Sequence, residues 1–231
     1  MVHKSFAIAA AAVMLAVPQV HAASVSYFLD QSNTTPPFSD GNNYLTVKID
    51  DEGGNGTNGG DSLITFTVTP IASQFTAGPN FGIQGFQFNI TGNPDPNPLP
   101  DSPDPAWLLP ANWDAKVAPP PNVADGFGAF DVDVSNTGSD RKDPLVFSID
   151  VGGDDINSYF APSTGTAGEG NAWFTAHVAG FTTSDPLVTS AWFGGGNGAG
   201  TPPLAVPEPI SVALVGSALL GLVAIRRQMA S

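Results

Sequence analysis

Glycine and proline interrupt this chain so often that its interior has no room for a long helix. Among 231 residues there are 26 glycines and 22 prolines. Outside the two ends, no amphipathic run of about twelve residues, the length at which a helix becomes marginally stable, survives between them. What survives are short stretches in which apolar and polar residues alternate with a period of two, the mark of strands with one buried face. Val25–Leu29, Tyr44–Ile49, Ile64–Thr69, Phe86–Thr91, Phe130–Val134, Phe147–Val151, Ala172–Val178 and Val188–Phe193 all read this way, with Tyr44 out of phase.

Eight short strands parted by Gly, Asn, Asp and Pro predict an all-β fold, an antiparallel β-sandwich of jelly-roll-like character. A single helical turn is expected over Asp154–Phe160. Gly92–Pro110 holds seven prolines and is expected as an extended surface loop, since proline cannot donate to a central sheet. Pro119-Pro120-Pro121 reads as a further break, and Gly194–Pro203 as a flexible linker.

The two ends follow a different logic. Met1–Ala23 has a basic start at Lys4, an apolar stretch from Phe6 to Val17, and Val20-His21-Ala22 as a cleavage site, which together describe a secretory signal helix. At the other end Val206-Pro207-Glu208-Pro209 precedes an uncharged run, Ile210–Ile225, followed by Arg226-Arg227. Sixteen helical residues span about 24 Å, slightly short of a ~30 Å hydrocarbon core, and the two arginines can snorkel to close the gap. They also act as a stop that holds their end in the cytoplasm. The expected organisation is a signal peptide at 1–23, a β-sandwich domain at 24–193, a Gly/Pro-rich linker at 194–205 and a tail at 206–231, with its single transmembrane helix at 210–225 and the basic stop at 226–227.

Charge and chemistry narrow what the exported part can do. Between Ser24 and Ala205 lie four basic residues and twenty acids, a net charge of −16. Nucleic acid would be repelled, while divalent cations and basic surfaces would be attracted. The chain has no cysteine, which excludes disulfides, thiolate catalysis and Cys-based metal sites. His177 is the one histidine of the exported part, so a multi-His zinc site is excluded too.

Three site classes stay open. Asp50, Asp51, Glu52, Asn55, Asn58 and Asp61 offer hard oxygens among glycines, the chemistry of a Ca²⁺ loop, though not in the register of an EF-hand. Asp131 and Asp133, with Asn136 and Asp140, form a second such set, and Asp150, Asp154 and Asp155 a third. Asp131 and Asp133 also share one strand face about 7 Å apart, as a glycosidase pair would. A serine triad could draw only on His177, and no G-x-S-x-G elbow accompanies it. Trp107 and Trp113, beside the proline loop, are candidates for stacking on a glycan, whereas Trp173 and Trp192 lie in strands and read as core.

The tripartite tail resembles the PEP-CTERM signal of Gram-negative bacteria, with Pro207-Glu208-Pro209 in the place of the motif. Ala124-Asp125-Gly126-Phe127-Gly128 and Ala172–Val178 are similar, more loosely, to strands of small PEP-CTERM proteins of unassigned function. The resemblance implies recognition by an exosortase, a membrane-embedded transpeptidase-like protease that cuts near the motif. It further implies passage through the inner membrane to the cell surface or extracellular matrix, in the company of exopolysaccharide. The expected role is that of a non-enzymatic surface or matrix component. A Ca²⁺-dependent carbohydrate-binding module and a secreted hydrolase are the alternatives.

Overall fold

Strand alternation becomes two antiparallel sheets in the computed structural model, which describes residues 24–51, 63–91, 107–151 and 155–195. The strands are β1 (Ser24–Leu29), β2 (Gln31–Ser32), β3 (Leu45–Asp51), β4 (Leu63–Pro70), β5 (Thr76–Phe88), β6 (Trp107–Leu108), β7 (Asp114–Ala124), β8 (Gly128–Ser135), β9 (Leu145–Asp150), β10 (Phe174–Thr182) and β11 (Ser190–Gly195). One sheet has the order β1-β3-β4-β9-β6 and the other β2-β11-β10-β5-β8-β7. The expected signal segment, residues 52–62, most of the expected proline loop, residues 152–154, and the expected linker and tail from 196 onward lie outside the described residues. Among the described residues no helix is long and apolar enough to cross a membrane. The expected turn near Asp154–Phe160 is a 3₁₀ turn, Ile156–Tyr159, capped by Asp155, whose carboxylate accepts from Asn157 N at 2.7 Å.

The inner faces meet in an aromatic core. Phe66 of β4 stacks on Phe147 of β9 at 4.9 Å and on Phe88 of β5 at 5.0 Å, with Tyr159 edge-on at 5.2 Å. Phe86 of β5 stacks on Phe174 of β10 at 5.9 Å and reaches Phe66 across the sheets at 6.1 Å. Val47, Ile49, Ile64, Val68, Val132, Val134, Leu145, Ile149 and Val178 are fully buried around these rings. A fully buried Phe contributes roughly 1.5–3 kcal/mol by area alone, and each ring pair adds about 0.5–1.5 kcal/mol.

Four features differ from the sequence expectation, each for a physical reason. β5 begins ten residues before Phe86, because Thr76–Gly85 looks like turn sequence but pairs with β10 through two register shifts. β7 runs straight through Pro119-Pro120-Pro121, the expected break. It is an edge strand, and its pairing with β8 skips from Val117 to Asn122, so the prolines need no ladder hydrogen bond. The end of the proline loop is β6, whose Trp107 pairs with Ile149. Finally, Gly194 and Gly195, expected as linker, are the last residues of β11, opposite Thr175 and Phe174. A Cβ on Gly194 would run into the Phe127 ring and one on Gly195 into the backbone at Phe28, so close approach dictates both glycines.

Truncating the central ring tests the core. Phe66→Ala should cost about 3–5 kcal/mol, read as a lowered midpoint in urea unfolding.

Candidate functional site

Within the described residues, the expected glycan and carboxylate sites do not assemble as the sequence suggests. Trp107 and Trp113 are only 9% and 8% exposed, which removes them as glycan platforms. Trp107 packs toward Phe147 at 6.5 Å, and the Trp113 indole Nε1 donates to Asp140 O at 3.0 Å. Proximity to a proline-rich loop misled here, because both residues turn inward to fill the core. Asp50, half-buried, forms an ion pair with the exposed Lys48 at 2.8 Å, and Asp51 ends β3 opposite Ile64. Glu52, Asn55, Asn58 and Asp61 lie outside the described residues, as do Val206, Pro207, Glu208, Pro209, Arg226 and Arg227.

Asp131 and Asp133 do share a face of β8, but their oxygens hold the protein itself. Asp131 Oδ2 accepts from Ile90 N at 3.1 Å, and its own N–H donates to Asn89 Oδ1 at 2.7 Å. Asp133 accepts from Gln87 Nε2 at 3.3 Å and from Ser135 Oγ at 2.8 Å. Asp140 is taken by Lys142 at 2.7 Å. Among the described residues no group of three or more His, Cys, Asp or Glu is placed to hold a metal ion.

What the structure does build is a cleft on the outer face of the six-stranded sheet. It has a volume of about 210 Å³ and is lined by Gln84, Gly85, Gln87, Asp133, Ser135, Asn136, His177 and Trp192. Register explains it. His177 of β10, Gly85 of β5 and Ser135 of β8 stand opposite one another on adjacent strands. Gly85 contributes no side chain, so a slot is left above β5 between His177 and the Ser135–Asp133 wall. The strands flanking that slot are roughly 9.5 Å apart, two strand spacings.

One wall is aromatic. The His177 ring stacks on Trp192 of β11 at 5.0 Å and 21°. Trp192 packs in turn against a second small core of Ala124, Phe127, Phe130 and Ala172. Burial, with the positive charge of Arg141, holds the His177 pKa below its usual value, and Asp133 opposes that shift. The imidazole is therefore neutral at pH 7. The neighbouring row carries Gln31, Gly194, Thr175, Gln87 and Asp133 across five strands. In it the buried oxygens Gln31 Oε1, Thr175 Oγ1 and Gln87 Oε1 have no hydrogen-bond partner among the described residues. Ser135, His177 and Asp133 thus come together, yet the hydroxyl donates to the carboxylate and not to the imidazole, so the sequence of contacts is not that of a serine nucleophile.

A second hollow, of about 270 Å³, opens near Phe38, Phe75 and Phe181. Its Tyr44 hydroxyl already donates to Ser39 O and accepts from Ser39 N, both at 2.7 Å.

Sequence reasoning gave His177 its half-exposed strand position and missed Gln87, Gly85 and Trp192 as its neighbours. Only the strand order, which puts β10 between β11 and β5, brings them together.

Two measurements check this geometry. Because the folded pKa of His177 is depressed, the unfolded chain binds more protons below about pH 6.5, so stability falls as pH drops from there through the folded pKa. The melting midpoint should decline over that window, and His177→Gln should flatten the decline. Glycine substitutions should split. Gly194→Ala drives a methyl into Phe127 and should cost about 1–3 kcal/mol. Gly85→Ala, whose methyl would stand 3.6 Å from Ser135 Cβ and 3.9 Å from His177 Cβ, should melt near the parent.

Comparison with known proteins bears on the tail alone. No curated protein and no solved structure matches the chain. Residues 205–228 match the family model described as the PEP-CTERM protein-sorting motif. The chain thus carries an exosortase sorting signal, which marks it as an exported protein with a membrane-anchored precursor.

Proposed function

We propose that this protein is a non-catalytic component of the cell surface or of the exopolysaccharide matrix, released to its station when an exosortase removes the tail. The observation that carries this reading is the sorting motif at residues 205–228, placed after a β-domain whose last described strand ends at Gly195. Ten residues lie between Gly195 and Val206. Fully extended they reach at most ~36 Å, slack enough for a membrane-embedded protease to work on the motif without disturbing β11. In the cleft the Ser135 hydroxyl donates to the Asp133 carboxylate and not to the His177 imidazole, so no serine–histidine pair is formed there.

Cell fractionation tests the delivery. The parent chain should leave the inner membrane with its C-terminus shortened to near Pro207, as read by intact mass. A Pro207→Ala, Glu208→Ala double variant should remain in the inner membrane at full length. Release of that variant at the parent's rate and mass would overturn the proposal. Turnover of any substrate in a glycoside and ester panel, abolished by Asp133→Asn or His177→Ala, would overturn its non-catalytic part.

A further inference from the structure

The cleft between His177 and Asp133 is shaped for a flat, hydroxyl-bearing ligand. The geometry points to it as a binding site for a single neutral sugar ring, seated above Gly85 on the outer face of the six-stranded sheet. This inference goes beyond the delivery proposed above and does not depend on where the chain ends up.

Four observations carry it. The first is space. The slot holds about 210 Å³ and is one missing side chain wide, which admits one ring and not a folded peptide. The second is the aromatic wall. A sugar presents a face of C–H groups that packs on an aromatic ring, and His177, kept neutral by burial, offers such a ring. Its other side is braced by Trp192, and Trp192 by the second small core, so the wall is fixed before a ligand arrives.

The third observation is the opposite wall. Asp133 brings a carboxylate whose oxygens each already accept one hydrogen bond, from Gln87 and from Ser135. A carboxylate has about four acceptor sites, so at least two remain for ligand hydroxyls. The fourth is Gln87 itself. It lines the slot, is only 4% exposed, and its Oε1 has no partner among the described residues. A buried acceptor left unmade costs about 1–3 kcal/mol, and a ligand hydroxyl donating to it would recover that cost. Asp133 and Gln87 thus hold acceptors open to a ligand, which suits a donor-rich polyol. The Asp133 carboxylate and the strong net negative charge of the domain outweigh Arg141, which is tied to Gln84 and Asn80 O, and disfavour an acidic sugar.

The register supplies the test. The full chain is purified in a detergent with no sugar headgroup, and the His177 imidazole proton signals are followed by NMR. Methyl glucoside, methyl galactoside, N-acetylglucosamine and glucuronate are titrated in separately. At least one neutral sugar should shift the His177 signals saturably, with a Kd on the order of 1 mM, and glucuronate should bind more weakly. Gly85→Leu fills the slot and should weaken the binding at least about tenfold. Gly85→Ala, whose methyl is accommodated without collision, should weaken it in a protein with the parent's melting midpoint, so a loss of binding is not a loss of fold. The proposal fails if no neutral sugar shifts His177 saturably. It fails equally if binding in both Gly85 variants matches the parent, or if glucuronate binds as tightly as the neutral sugars.

Discussion

The sandwich depends on the ring contacts that join its two sheets. With no cysteine to staple the chain, buried apolar area is the main term opposing the entropy of ordering the described strands and loops. Phe66 sits at the junction, touching Phe147 in its own sheet and Phe86 and Phe88 in the other. Because those partners lie on β9 and β5, the contact holds together strands far apart in sequence. It also fixes which face of β5 is inside. Once Phe86 and Phe88 point inward, Gly85 and Gln87 must face out, and the floor of the cleft follows from the core.

That dependence explains what could be read from the sequence. Period-two alternation revealed most strands because burial on one face is a local property of the chain. β7 and the first half of β5 stayed hidden, since proline and glycine there signal turns. Their strand conformation comes from pairing with β8 and β10, which local propensity does not encode. The cleft was illegible for the same reason. Its residues come from β5, β8, β10 and β11, and no spacing along the chain brings Gln87 beside Asp133 or His177 beside Trp192. The tail, by contrast, could be read directly, because a sorting address is recognised as a linear stretch and needs no fold to assemble it.

Charge is arranged with the same economy. Of the acids first considered for a metal, Asp131, Asp133 and Asp140 each accept hydrogen bonds from neighbouring strands or loops, and Asp155 caps the 3₁₀ turn. They act as ties for loops and edges that carry too few apolar contacts to hold themselves. An acidic composition here describes how the surface is knit, as much as what it attracts.

The glycine pair that ends β11 has a mechanical meaning. β11 lies between β2 and β10, and its final residues are wedged beside Phe127 and Phe28. Tension transmitted up the tail from a membrane would enter the domain at Gly195. A pull directed along β11 would load it in shear, against its pairing with β10 and, at Phe193 and Gly194, with β2. A tether leaving from an edge strand would instead peel that strand away one bond at a time. The tail thus joins the domain through an interior strand of its sheet.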